Sequence, residues 1–299
     1  MNSPVTPSPS PIANSQLMTF NSPASLLDHV TQEWRSNFVT VDLDTPKLVN
    51  FFSRRPFFML THVDAPLFLR YNRSNRHLHS INATSLENFV RQNDQAAFGT
   101  DESTSVQGHL SCSGFRTLRH LIKLSIVNSF QTISELHTYL DSLDMTNLER
   151  LRPQWDTYFM TLADLASQRS NCMKRRVGAI LVKENRIVAT GYNGTPRGVT
   201  NCNEGGCPRC NRTSAADILE CLCLHAEENA LLEAGRDRVG KNAIIYCNTC
   251  PCLKCTIKII QSGVTRVVYN LSYKVDEASA KLFKEAGIEL SRHTPPPEA

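Results

Sequence analysis

The chain has 299 residues, 41% of them hydrophobic and 20% charged, the ordinary balance of a soluble globular protein with room for two domains. Its net charge of +4 suits small anionic ligands and is too weak to argue for nucleic acid as the main partner. No apolar run approaches membrane-spanning length, no signal peptide opens the chain, and eleven cysteines in that setting read as metal ligands and free thiols, which places the protein in a reducing compartment, the cytosol or the nucleus.

Residues 1–24 are rich in Pro and Ser (Pro4, Pro7, Pro9, Pro11, Pro23) and read as a disordered tail. Residues 25–150 alternate short apolar runs with helical patterns, an α/β extension. Within it, Ser25–Arg35 reads as an amphipathic helix, Phe57–Val63 as a buried strand, and Asp64-Ala65-Pro66 as a turn. Residues 93–114 read as a polar loop, Leu121–Val127 as a second strand, and Ser134–Leu143 as a helix with Ser134 as its N-cap. The strand, the Asp-Ala-Pro turn, and then Arg70 and Arg73 resemble the later part of a nucleotide-kinase fold. That fold needs a Gly-rich loop ending in Gly-Lys-Ser/Thr, and the sequence has none. The expectation is a degenerate or structural domain that supports assembly and does not bind ATP in the usual way.

A second domain is expected over residues 151–293, followed by a loose end at 294–299. It opens with a helix over Gln154–Ser170, whose Trp155, Tyr158, Phe159, Leu162, Leu165 and Ala166 stripe reads as core. Val177–Val182 and Arg186–Tyr192 read as a hairpin turning at Glu184-Asn185. After a cysteine-rich loop comes a helix near His225, which Gly235 or Gly240 would stop. Then follow a strand over Ala243–Cys247, a helix over Pro251–Ser262, a strand over Val264–Tyr269 and a helix over Glu277–Ala286. This order predicts a three-layer α/β/α domain around a mixed sheet, five-stranded by the resemblance given below.

The chemistry lies in His225-Ala226-Glu227 and Pro251-Cys252-Leu253-Lys254-Cys255. One imidazole and two thiolates make three zinc ligands, and three protein ligands leave a fourth position open for water, the mark of a catalytic site. Cys252 and Cys255 are at i and i+3, so they share a helix face. Pro251 fits the first helical position, where its missing N–H costs nothing, and the helix N-terminus favours thiolates. His225 and Glu227 raise a geometric problem: two residues apart in mid-helix they would point roughly 200° apart. They can share a site only where the chain is still turning into the helix. Zinc lowers the pKa of bound water to about 7, and the resulting hydroxide can attack a ring carbon bearing an amino group. Glu227, which is no ligand in this pattern, can carry the proton from the water to the ring nitrogen and on to the departing ammonia. This His-x-Glu…Pro-Cys-x-x-Cys arrangement is the signature of zinc nucleobase deaminases.

Residues 153 to about 293 resemble the deoxycytidylate deaminases of the fungal type, within the zinc-dependent cytidine/deoxycytidylate deaminase family. The resemblance is carried by Ser170–Gly178, Gly191–Pro196, Cys207-Pro208-Arg209-Cys210 and Leu224–Ala230. It implies hydrolysis of dCMP to dUMP and ammonia for thymidylate synthesis, with attack at C4. His225, Cys252 and Cys255 would be the zinc ligands and Glu227 the proton shuttle. It further implies a sugar contact from Asn193, a place for Tyr273 near the phosphate or ring, and a homo-oligomer, often a hexamer. Activation by dCTP and inhibition by dTTP, with Mg²⁺, would follow, the regulatory site lying close to Gly191–Gly194. Asparagine is also common in such turns for backbone reasons alone. Lys174, Arg175, Arg176, Arg197 and Arg236 are candidate cations for the phosphate.

Six cysteines surround the motif: Cys172, Cys202, Cys207, Cys210, Cys221 and Cys223. So many thiols in one region of an intracellular protein predict a second, structural zinc. By resemblance its ligands are Cys172, Cys202 and Cys223, with Cys210 favoured over Cys207 as the fourth. Cys112, Cys247 and Cys250 read as buried apolar side chains. Two rival functions remain at this point. A polynucleotide deaminase acting on tRNA or single-stranded DNA would need a basic, aromatic-lined groove, and the chain is only 7% aromatic. A non-catalytic zinc scaffold would have no use for Glu227.

Overall fold

The computed structural model describes residues 16–77, 84–99, 114–212, 220–272 and 277–296. It divides into two compact units, one running to Met145 and the other spanning Thr146–Glu298.

The first unit opens with α1 (Pro23–Gln32), capped by Ser22, whose hydroxyl accepts from the Ser25 N–H, and started by Pro23 at its first turn. Next come α2 (Pro46–Ser53), β1 (Leu60–Asp64), α3 (Leu67–His77), α4 (Leu86–Phe98), β2 (Ile122–Val127) and α5 (Ile133–Ser142). Strands β1 and β2 pair in parallel as a two-stranded sheet. The extension is therefore α/β, with several corrections. The first strand begins at Leu60, because the Phe58 N–H turns back to the Arg55 carbonyl, and Val63 on it is 64% exposed rather than buried. Asp64 belongs to the strand, not to the turn. Residues 93–98 of the expected loop belong to α4, which Gly99 ends at φ 85°. The N-cap of α5 is Thr132, not Ser134: Thr132 and Glu135 close a reciprocal capping box. Arg70 and Arg73, part of the kinase-like pattern above, hold backbone. Arg70 donates to the Ala65 carbonyl, and Arg73 donates to the carbonyls of Asn128 and Phe130. Cys112 and most of the Pro/Ser-rich tail lie outside the described residues.

The second unit contains α6 (Trp155–Ser167), β3 (Gly178–Lys183), β4 (Arg186–Tyr192), α7 (Ala226–Ala234), α8 (Arg236–Val239), β5 (Ala243–Thr249), α9 (Leu253–Ser262), β6 (Arg266–Leu271), α10 (Glu277–Glu285) and β7 (Glu289–Arg292). The sheet order is β4-β3-β5-β6-β7, antiparallel across β4-β3-β5 and parallel from β5 to β7. Glu184 and Asn185 both adopt left-handed φ (51° and 58°), the turn that matches the twist of a two-residue hairpin. Strand β7 has no counterpart in the sequence reading, since its four residues, two exposed and two half-buried, show no clean alternation.

Helix α6 covers one face through Phe159, Met160 and Ala163 against Ile180, Val182, Tyr246 and Val268. Helices α7, α9 and α10 cover the other through Ala226, Ala230, Cys255, Ile259 and Phe283. This is the expected three-layer α/β/α arrangement. The α6 stripe is out of phase with the expectation: Thr157, Phe159, Met160, Ala163 and Ser167 are buried, while Trp155, Tyr158 and Leu165 are exposed. Phe159 and Met160 fill that face, and at Ala163 and Ser167 the helix backbone sits close to the sheet. A Cβ on Gly178 would stand 2.0 Å from the Ala163 carbonyl oxygen, so only glycine permits that approach.

Candidate active site

The site forms where two helices of the second unit begin. His225 is the N-cap of α7, with extended φ −80° and ψ 159°, and Glu227 lies in the first turn. The extended cap turns the imidazole away from the helical phase, which resolves the roughly 200° separation that two mid-helix positions would have. Cys252 is the N-cap of α9, and Cys255 lies three residues on. Pro251 therefore stands one residue before the cap and not at the first helical position, since Cys252 is still extended (ψ 166°). Gly235 ends α7 at φ 68°.

The depth of α7 is set by Gly191 on β4. A Cβ there would lie 2.0 Å from the Ala226 carbonyl oxygen and 2.6 Å from the Ala230 nitrogen. Glycine thus brings the helix carrying His225 and Glu227 hard against the sheet. Glu228 of α7 pairs with Lys258 of α9, tying together the two helices that carry the candidate ligands. Neither partner was singled out by the sequence reading, because the pairing spans thirty residues and only the packed helices reveal it.

His225 Nδ1 lies 3.2 Å from Cys255 Sγ and 3.4 Å from Cys252 Sγ. A tetrahedral zinc with ordinary Zn–N and Zn–S bonds spaces nitrogen from sulfur by about 3.6 Å, so the three donors fit the ion. His225 is exposed, Cys252 half-buried and Cys255 buried, which leaves the site open on the histidine side. The protons are arranged to be displaced. The Cys255 thiol, then His225, hydrogen-bond to Cys252 and hold its thiol down at about 3. Its hydrogen bond to Cys252 and burial push Cys255 up. The Cys252 hydrogen bond raises His225. A metal bound by the three donors would replace these protons.

Glu227 is 4% exposed, and burial raises its carboxyl above the usual carboxylate range. It lies beside Cys255 and beside the wholly buried Cys247, whose thiol burial pushes well up. Cys247 is thus buried as expected, whereas Cys250 is half-buried.

Asn193 is buried, and its amide is committed to protein. The oxygen accepts from Ser170 Oγ at 2.6 Å and from the Val177 N–H at 2.8 Å, while the nitrogen donates to the Arg175 carbonyl at 2.9 Å. The sequence reading did not include Ser170 as its partner. Tyr273 lies outside the described residues. Lys174, Arg175, Arg176, Arg197 and Arg236 are all exposed. The thiols of Cys172, Cys202, Cys210 and Cys223 all lie within 4.8 Å of one another, as do those of Cys207, Cys210, Cys221 and Cys223.

Comparison with known proteins decides the family. Residues 153–271 match the cytidine and deoxycytidylate deaminase zinc-binding region. A deoxycytidylate deaminase of Schizosaccharomyces pombe is 50% identical over 273 residues, covering 91% of this chain and 81% of that one. The chain belongs to the deoxycytidylate deaminase family. A second family member, from Saccharomyces cerevisiae, is 45% identical over 274 residues, covering 90% of this chain and 85% of its own. The solved dCMP deaminase of cyanophage S-TIM5, in complex with dCMP and dUMP, is 34% identical, covers 48% of this chain and 98% of its own, and superposes with a TM-score of 0.39. The fungal deoxycytidylate deaminases align with most of the chain, the first unit included, whereas the zinc-binding match is confined to the second.

Proposed function

We propose that this deaminase hydrolyses dCMP to dUMP and ammonia at the site where α7 and α9 begin. The observation that carries the proposal is the buried Glu227 carboxylate beside a three-donor set of His225 Nδ1, Cys252 Sγ and Cys255 Sγ. Zinc held by these three supplies Lewis acidity, bringing the pKa of a water to about 7. Glu227 then does the proton work. A carboxyl Oε accepts a proton from the attacking water and delivers it to N3 of the cytosine. It next takes the second water proton and passes it to the amino group at C4, which leaves as ammonia. Burial raises the affinity of Glu227 for protons, the direction a proton carrier needs. Water and dCMP are consumed and dUMP and ammonia formed, with no redox change.

Asn193 fixes the turn between Ser170 and Val177 that borders the site. Sugar contact by its free amide hydrogen and a role for Tyr273 at the phosphate or ring are part of the same reading, as is the assignment of Lys174, Arg175, Arg176, Arg197 or Arg236 to the phosphate. Family membership supports a homo-oligomer, hexameric by resemblance, activated by dCTP and inhibited by dTTP with Mg²⁺. The thiol-rich sites support work in the cytosol or nucleus, where thiols stay reduced. No described helix is long and apolar enough to cross a membrane.

The test is ammonia release from dCMP, deoxycytidine, CMP and a cytosine-containing oligonucleotide, with dCTP and Mg²⁺ present. Preferred turnover of dCMP is expected. Turnover of the oligonucleotide alone would assign the chain to polynucleotide editing, and no turnover by the zinc-loaded protein would leave a scaffold.

A further inference from the structure

The six cysteines around the active-site motif form two overlapping cages. Cys172, Cys202, Cys210 and Cys223 make one, and Cys207, Cys210, Cys221 and Cys223 make the other. Cys210 and Cys223 belong to both, while the six do not all fall within the same 4.8 Å separation. That is the pattern of two tetrahedra sharing an edge. The spacings agree: Cys172–Cys210 is 3.8 Å, Cys207–Cys221 3.8 Å, Cys210–Cys221 3.5 Å and the shared Cys210–Cys223 edge 3.9 Å. A tetrahedral zinc with Zn–S bonds of about 2.3 Å sets its sulfurs about 3.8 Å apart. A disulfide would need about 2.05 Å.

A single zinc in the first cage would leave Cys207 and Cys221 without a role, and the surroundings of Cys207 do not fit an idle thiol. It is fully buried, and the backbone N–H groups of Cys210 and Leu222 point to its sulfur. The thiols of the first cage receive the same kind of support: the Met173 N–H donates to Cys202 Sγ at 3.4 Å, and the N–H groups of Lys174 and Arg175 serve Cys172. N–H donors on sulfur are what a thiolate needs and a neutral thiol uses little. The buried residues here are also all cysteines: Cys202, Cys207, Cys210 and Cys223, with Cys172 packed against them. Apart from one short 3₁₀ turn at Cys202–Glu204, the described residues between β4 and α7 hold no helix or strand. Among the described residues the buried cluster here is sulfur and not hydrocarbon, a core that calls for a metal.

We propose that these six thiols hold two zinc ions, with Cys210 and Cys223 bridging them, Cys172 and Cys202 completing one tetrahedron, and Cys207 and Cys221 the other. Binding releases the thiol protons, and two dications against six thiolates leave two negative charges for the N–H groups to stabilise. The role is structural: the cluster braces the segment that leads through Leu224 into His225. It does not depend on the deamination reading, because its readouts are metal content and metal spectra.

The experiment is a zinc count on the full chain purified without chelator, beside the Cys207→Ser/Cys221→Ser double variant. The expected result is three zinc ions per wild-type chain, one at His225 and two in the cluster, and one fewer in the variant. A wild-type count of two, or an unchanged count in the variant, would overturn the proposal. Should the variant fail to fold, the wild-type protein reloaded with ¹¹³Cd answers the question. Two tetrathiolate resonances split by mutual coupling through shared sulfur are expected, and one such resonance, or two without coupling, would refute the bridge.

Discussion

Gly191→Ala puts a methyl group where α7 lies on β4. The new Cβ would stand 2.0 Å from the Ala226 carbonyl oxygen, and since real Cβ contacts stay above 3.0 Å, the helix must withdraw by the difference, about 1 Å. The obstacle is backbone, so no rotamer change relieves it. Overpacking of this kind costs about 1–3 kcal/mol, and in a unit of this size each kcal/mol lowers Tm by about 2–4 °C. The displacement also carries His225 and Glu227 away from Cys252 and Cys255, which stay on α9. A misplacement of about 1 Å at a reacting centre costs on the order of 10²-fold in rate. Gly178→Ala is the matched control: its Cβ meets the Ala163 carbonyl oxygen of α6 at the same 2.0 Å, but α6 carries none of the four site residues. Both variants are expected to lose comparable Tm. Only Gly191→Ala is expected to lose roughly ten- to hundredfold in kcat/KM for dCMP, measured as ammonia release per folded, zinc-loaded chain. Equal activity losses in the two variants, or a Gly191→Ala enzyme within twofold of wild type, would refute the account of how α7 is positioned.

Glu227→Gln should keep its zinc, because the side chain is no ligand, and lose about 10²–10⁴-fold in kcat; metal analysis beside ammonia release checks both halves. Cys252→Ser should cost the chain the zinc held at His225 while leaving the cysteine cluster loaded, read as a drop of one zinc per chain. Asn193→Ala removes hydrogen bonds to Ser170, Val177 and Arg175 and leaves the partly buried Val177 N–H without this acceptor, so a stability loss of about 1–3 kcal/mol by denaturant titration is expected whether or not dCMP is touched. For Asp156, burial alone would raise the carboxyl, but hydrogen bonds from Arg266 and Tyr246 outweigh it and hold the group below its usual value. Its stabilising contribution is therefore complete above the unfolded pKa of about 4 and lost as pH falls through the lower folded value. The Tm gap between wild type and Asp156→Asn should narrow below about pH 4, and a gap that stays constant there would remove the ion pair from the account.

Much of the site was legible because its determinants are local. His225, Glu227, Cys252 and Cys255 announce themselves by residue type and by separations of two and three along the chain. The hairpin turn at Glu184-Asn185 was likewise local, and so was the helix stop, expected at Gly235 or Gly240 and found at Gly235, since asparagine and glycine tolerate a positive φ. The capping box of α5 is local too, as Thr132-x-x-Glu135, although Ser134 offers a competing cap residue within it.

Tertiary structure decided what depends on neighbours distant in sequence. Helix α6 carries an apolar arc broader than the face it buries, so periodicity alone did not choose that face. Close approach to the sheet at Gly178 chose it, burying Ala163 and Ser167 and leaving Trp155 and Leu165 in solvent. Strand β7 exists only because β6 offers it an edge. The sequence by itself determined which atoms this deaminase brings to its chemistry, because ligand type and proton carrier are properties of single residues. Only the folded chain decided that His225 and Glu227 meet at one helix mouth, and that six scattered thiols divide into two cages with a shared pair. Those are distances between segments, and the packing of backbone against backbone sets them.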